Sequence, residues 1–156
     1  MDDGVVIGPD DPRAADVVEL LGAHLSFANE HSPPEDVHAL DVAGLLDPAV
    51  SFFSARLGGE LVAVGALKEL DTTHGEIKSM HTLAARRRAG AGRAMLEHLL
   101  ALARARRYGR VSLETGSMAA FAPARSLYVA AGFTVCGPFA DYLPSPNSTF
   151  MTIELT

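Results

Sequence analysis

Apolar residues change spacing several times along the chain, and each change marks the edge of an element. Gly4 to Gly8 (GVVIG) is a short apolar run that predicts a buried strand. From Pro12 the spacing becomes helical, with Val17, Val18, Leu21, Leu25 and Ala28 on one side, until Pro33-Pro34 ends it. Val37 to Leu46 predicts a second, short helix carrying Val37, Leu40 and Leu45, broken by Asp47-Pro48. Val50–Leu57 and Glu60–Leu70 are β-rich runs separated only by Gly58-Gly59, which predicts a tight hairpin. After a loop at Asp71–His74, another strand is expected from Gly75 to about Leu83.

The strongest helical pattern follows, from Gly90 to Arg107. Ala94, Met95, Leu99, Leu102 and Ala103 form its stripe, Leu96 and Leu100 widen it, and Gly109 is expected to stop it. Val111–Thr115 reads as a strand, and Pro123–Ala131 as a helix closed by Gly132. Phe133–Cys136 and Thr149–Leu155 read as the last strands, flanking a Pro138–Pro146 stretch too proline-rich for a central strand. The order β-α-α-β-β-β-α-β-α-β-β, without repeat or linker, predicts one mixed α/β domain over residues 1–156.

Composition narrows the class. A chain of 156 residues buries roughly 68–70% of its unfolded surface, so its core needs no covalent staple. With 48% hydrophobic and 21% charged residues it is not intrinsically disordered. Cys136 is the only cysteine, which excludes an internal disulfide and a cysteine-rich zinc module. No apolar run has membrane-spanning length and Met1-Asp2-Asp3 is acidic, so a soluble, cytoplasmic protein without membrane attachment is expected.

Charge is uneven. The net charge of −6 argues against a general nucleic-acid binder. Yet Arg86, Arg87, Arg88, Arg93, Arg104, Arg106, Arg107 and Arg110 crowd into 25 positions of this acidic chain, a concentration that suits an anion. The last arginines of the helix also have a plainer role, complementing its dipole.

Arg87-Arg88-Ala89-Gly90-Ala91-Gly92 lies between a predicted strand and the strongest helix. Unpaired N–H groups at a helix N-terminus and the helix dipole attract anions, and glycines let a phosphate approach the backbone. Arginines add charge-assisted donors, so the turn suits a pyrophosphate. There is no Gly-Lys-Ser/Thr run, and a G-x-G-x-x-G reading meets Met95 where the third glycine belongs.

Arginine before the glycines is a different signature, and here the chain resembles the GNAT superfamily of acyl-CoA-dependent N-acetyltransferases. The family motif Arg/Gln-x-x-Gly-x-Gly/Ala is matched by Arg87, Gly90 and Gly92. The later Leu-Tyr-x-x-x-Gly-Phe pattern is matched by Leu127, Tyr128, Gly132 and Phe133. The resemblance covers nearly the whole chain. It implies a mostly antiparallel sheet of about seven strands flanked by about four helices. It also implies an enzyme moving an acetyl group from acetyl-CoA directly to a primary amine of a small or amino-acid-like acceptor. A non-catalytic acyl-CoA sensing module stays open as the alternative, and pairing as a homodimer is a further expectation from the family.

Residue by residue, the resemblance puts pantetheine along Met80, His81 and Thr82, with the pyrophosphate on the turn and first helical residues: Arg87, Arg88, Ala89, Gly90, Ala91, Gly92, Arg93 and Ala94. Tyr128 is implied as the acid for the departing thiolate, a role that a phenol can fill; its plainer role is a packed aromatic. Phe121 stands where many members carry a cofactor-touching asparagine, so that contact is not expected here. An acceptor ammonium must lose a proton before attack, and Glu76 is the candidate base. Extended alternation would point residues 76, 78, 80 and 82 the same way. An ion pair with Lys78 is the competing role for Glu76.

Weaker substrate candidates are His38, Glu69, His74 and Glu114. The six histidines show no H-E-x-x-H or tight Cys/His spacing, so no metal is expected. Cys136 lies in an apolar run without an evident base, which favours a structural role. The acidic first half hints at a cationic acceptor.

Overall fold

The computed structural model describes residues 4–34, 42–83 and 90–155. Seven strands form one sheet: β1 (Val5–Pro9), β2 (Val50–Leu57), β3 (Glu60–Asp71), β4 (His74–Thr82), β5 (Arg110–Gly116), β6 (Thr134–Cys136) and β7 (Ser148–Glu154). The helices are α1 (Ala15–His31), α2 (Val42–Leu45), α3 (Ala91–Ala105) and α4 (Ala122–Ala131), and a 3-10 turn at Ala119–Phe121 leads into α4. The strands lie in the order β1-β2-β3-β4-β5-β7-β6. All neighbours are antiparallel except β4 and β5. This is the mixed, mostly antiparallel architecture that the resemblance implies.

The Gly58-Gly59 hairpin forms as expected, pairing Leu57 with Glu60. Its second strand is buried from Leu61 to Leu67 because helices cover both faces of the sheet. On one face α3 drives Met95, Leu96, Leu99, Leu100 and Ala103 into a core shared with Leu67, Ile77, Val111 and Leu113. On the other, α1 packs Val17, Leu20 and Leu21 over Phe52, Val64 and Ala66, and Leu45 of α2 joins them.

One local expectation is corrected and another lies partly outside the described residues. The left-handed residue behind α3 is Arg107 (φ +64°), three positions after Arg104, whose carbonyl accepts its amide. Gly109 instead donates its amide to Thr73, fastening the entry of β5 to the β3–β4 turn. The expected helix over Val37–Leu46 is described only at Val42–Leu45, because residues 35–41 lie outside the described residues.

Strand β4 departs from regular alternation. Its register against β3 slips between Val64↔His81 and Ala66↔Lys78, and Ser79 there takes φ +57°. Before the bulge Gly75 and Ile77 face the α3 core and Glu76 and Lys78 face the other side. After it the order reverses: Met80 packs against Met95, Thr82 approaches Gly92, and His81 turns toward α1. Residues 76, 78, 80 and 82 therefore do not share a face.

Candidate active site

Parallel β4 and β5 pair only from His74–Glu76 to Arg110–Ser112 and then part. The notch between them holds a cavity of about 730 Å³, lined by both strands, the start of α3, one side of α4 and the inner face of α1. Three groups of residues meet in it.

At one end is the N-terminus of α3. Gly90 sits ahead of the helix with φ +87°, and the first intrahelical bond runs from the Ala94 amide to the Gly90 carbonyl at 2.9 Å. The amides of Ala91, Gly92 and Arg93 therefore precede the ladder, where helix donors lack intrahelical acceptors. Gly90 also has open space beside it, with no described atom within 4 Å of where a Cβ would be. Gly90, Ala91, Gly92 and Arg93 all line the cavity, whereas Ala94 does not. Arg87, Arg88 and Ala89 lie outside the described residues.

Tyr128 projects from α4 into the middle of the cavity and is buried beside Phe133. Burial, and secondarily the charge of Glu114, push its hydroxyl well above the ordinary phenol range, so it is protonated at neutral pH. Met80, His81 and Thr82 form the facing wall with Ser79. The Ser79 hydroxyl is buried and has no hydrogen-bond partner among the described residues.

The third group faces α1. Glu76, 3% exposed, accepts a hydrogen bond from the Tyr142 hydroxyl on Oε2, and Lys78 Nζ lies 3.5 Å from the same oxygen. Lys78 also donates to the Tyr142 oxygen at 2.8 Å. Burial and the Glu76 carboxylate drive the Tyr142 phenol far above its normal range. Farther along, His24 of α1 and His81 bring their Nδ1 atoms to 3.1 Å. Burial, helped by His81 and Lys78, lowers His24 to about 4. Phe27 packs edge-on to Phe121 (5.2 Å between centroids), joining α1 to the 3-10 turn.

Several placements differ from the sequence reading. Glu114 lines the cavity as expected. Glu69 does not; it accepts from Tyr108 at 2.7 Å. His74 is also away from the cavity, in contact with Ser112 at 2.7 Å and Phe139. His38 lies outside the described residues. The Cys136 thiol is pushed up by burial, the opposite of an activated nucleophile. Sequence reasoning missed His24, Phe27, Ser79 and Tyr142. For Phe121 the only signal was its unusual identity, and Gly116 explains it: a Cβ there would sit 2.2 Å from the Phe121 ring, so the ring rests on bare β5 backbone.

A notched sheet with a helix N-terminus and a tyrosine opening on one cavity defines an acyl-CoA-dependent acyltransferase. The pattern of the acetyltransferase (GNAT) family matches residues 15–133, and the chain belongs to that family. It is 52% identical over 146 residues to the uncharacterized N-acetyltransferase YsnE of Bacillus subtilis, covering 94% of this chain and 97% of that one. It is 36% identical over 149 residues to an IAA acetyltransferase of Azospirillum brasilense, covering 94% and 95%. Among solved structures, an acyl-CoA N-acyltransferase from Klebsiella pneumoniae superposes with a TM-score of 0.82 at 26% identity, over 99% of both chains. A GNAT acetyltransferase from Elizabethkingia anophelis with acetyl-CoA bound gives 0.72 at 17% identity, over 98% and 99%. The family uses acetyl-CoA, and no described helix is long and apolar enough to cross a membrane.

Proposed function

We propose that the protein transfers an acetyl group from acetyl-CoA directly to the primary amine of a small-molecule acceptor. The observation that carries this reading is the single cavity joining the α3 N-terminus, Tyr128 and the polar β4 wall. Acetyl-CoA supplies an activated acetyl thioester. The amides of Ala91, Gly92 and Arg93, with the α3 dipole, suit its pyrophosphate. The backbone of Met80, His81 and Thr82 offers the pantetheine arm an edge to follow, and the orphaned Ser79 hydroxyl lies alongside.

Tyr128 is the proton donor to the departing thiolate, and its burial keeps the proton in place until a stronger base develops beside it. A main-chain N–H near Met80 or His81 steadies the carbonyl oxygen as charge builds. The proton on the acceptor ammonium leaves at the β4 wall, where Glu76 is the residue the sequence points to. The acceptor binds on the α1 side of the cavity, where Glu114, Phe27 and Phe121 are part of the lining.

The test is thiol release from acetyl-CoA with a panel of primary amines. Turnover with at least one amine is expected, and tight CoA binding with silence across the panel overturns transfer in favour of a sensor. Tyr128→Phe should lower kcat while leaving CoA affinity within about threefold. Gly90→Val forces a branched residue into a left-handed conformation at about 1–3 kcal/mol. It should weaken CoA roughly 5- to 150-fold by calorimetry.

A further inference from the structure

We propose that the Ser79 hydroxyl donates a hydrogen bond to the thioester carbonyl oxygen of bound acetyl-CoA and steadies that oxygen as charge builds on it, a refinement that rests on the acetyl-CoA reading above. Among the described residues three buried side-chain atoms have no hydrogen-bond partner: the hydroxyls of Ser79 and Ser148 and Nε2 of His98. Of these only Ser79 lines the cavity. An unpaired hydroxyl shut away from water is a costly group to keep, and an acceptor atom on a bound ligand removes that cost.

The backbone at the same residue is strained as well. Between Val64↔His81 and Ala66↔Lys78, Ser79 and Met80 together face the single residue Gly65. Gly65 is bare because Met80 and Met95 fill the space a Cβ would need, with the Met80 sulfur 2.9 Å from that position. That packing sets the bulge, and it makes no use of a hydroxyl. Ser79 takes φ +57°, a conformation glycine adopts freely and serine only at a cost. Glycine would serve the bulge better and leave no orphan donor. A side chain that carries two local costs, and relieves neither within the protein, has its use in the loaded site.

The place of Ser79 along β4 selects the ligand atom. Thr82 stands beside Gly92 at the start of α3, the end that suits the pyrophosphate. Ser79 lies three residues farther along, on the order of 10 Å away, and Lys78 and Glu76 follow on the acceptor side. Strands β4 and β5 have parted by then, since their pairing ends at Glu76↔Ser112, so Ser79 sits on the open edge of the notch. The pantetheine amides each carry a donor and an acceptor, and they suit the alternating N–H and C=O groups of the Met80–Thr82 backbone. The thioester carbonyl only accepts, so it is the atom that a lone hydroxyl donor fits. A turn about the Ser79 Cα–Cβ bond presents the hydroxyl to it.

In the transfer step the amine nitrogen, already neutral, bonds to the acetyl carbon while the carbonyl π pair moves onto oxygen. The Ser79 O–H and a main-chain N–H hold that oxygen between them. The pair returns as the C–S bond breaks, and the thiolate takes the Tyr128 proton. The proton shed by nitrogen restores Tyr128, directly or through solvent. Ser79 keeps its own proton throughout.

The experiment compares wild type, Ser79→Gly and Ser79→Ala. Both variants remove the hydroxyl, and glycine also removes the strained conformation, so Ser79→Gly should fold as wild type does. With acetyl-CoA carrying carbon-13 at the acetyl carbonyl, difference infrared should place the bound carbonyl band higher in both variants than in wild type, because a hydrogen bond weakens the C=O bond. That readout needs no acceptor. CoA, which lacks the acetyl carbonyl, should bind all three proteins within about threefold by calorimetry. With the amine that turns over best, kcat should fall about 100-fold in both variants, the scale of losing one oxyanion donor, with little change in the KM for acetyl-CoA. Equal weakening of CoA and acetyl-CoA puts the hydroxyl on pantetheine and overturns the assignment. So does an unmoved carbonyl band, or a kcat retained in Ser79→Gly, which is what a purely structural bulge residue predicts. Wild-type silence with every amine, with the carbonyl band still shifted, sinks transfer and leaves the Ser79 contact standing. Failure to bind acetyl-CoA sinks both.

Discussion

The side of the sheet under α3 and the side under α1 are filled in different ways. Under α3, Met95, Leu99 and Ala103 are fully buried against Leu67, Val111 and Leu113, and the packing runs unbroken from β1 to β7. Under α1 the apolar cluster is smaller, centred on Val17, Leu21, Val64 and Ala66. Beyond it the neighbouring strand β4 carries Glu76, Lys78 and His81, whose partners come from α1 and the β6–β7 loop. One side holds the molecule together, while the other carries the polar wall of the cavity, where we place the acceptor. A fold that concentrates stability on one face can change the acceptor on the other at modest energetic risk.

The largest expected effect that tests this contrast is Leu99→Ala. It should lower unfolding free energy by about 2–5 kcal/mol in denaturant titration, and a loss below about 1 kcal/mol would dissolve the contrast. Next is Gly116→Ala on β5. The new methyl would collide with the Phe121 ring, so the ring must swing off the strand at about 1–3 kcal/mol. Acceptor KM should rise while CoA affinity, measured by calorimetry, changes little.

The last, and the smallest per pH unit, is a pH effect. His24 is lowered from 6.5 to about 4 in the fold, so between those values the unfolded chain holds the extra proton. The stability from keeping His24 neutral is whole above about pH 6.5 and drains as pH falls toward 4. The slope is at most about 1.4 kcal/mol per pH unit. His24→Asn should flatten that slope, and an unchanged slope places the titration elsewhere.

The two ends of the site were unequally legible in the sequence. The α3 end is made of backbone, and glycines before an apolar stripe announce a helix N-terminus directly, so Gly90, Ala91, Gly92 and Arg93 could be read off. Tyr128 was legible for the same reason, because it sits in a short contiguous pattern closed by Gly132 and Phe133. The proposed acceptor side is made of side chains from residues 24, 81 and 121, with Tyr142 behind Glu76, which only the folded sheet brings together. His24 looked like one more residue on a helical surface, and Tyr142 lay in a stretch read simply as loop. Alternation failed at β4 because a bulge depends on pairing with β3, and Ser79 carries no glycine to advertise a positive φ. Strand and helix order were recovered almost throughout, since burial on two faces writes itself into local spacing.

The bulge has a consequence for anyone altering this enzyme. A nine-residue strand with strict parity must assign each position to one side for its whole length. Here Ser79 acts as a phase slip, letting the strand hand Ile77 and Met80 to the same core although their numbers differ in parity. Straightening the strand with Ser79 kept in the ladder would drive the imidazole of residue 81 into the oily interior and turn the Met80 thioether outward, whereas deleting Ser79 would leave both facing as they do. The chemical face of the protein therefore depends on the backbone conformation at a single residue as much as on which side chains are present.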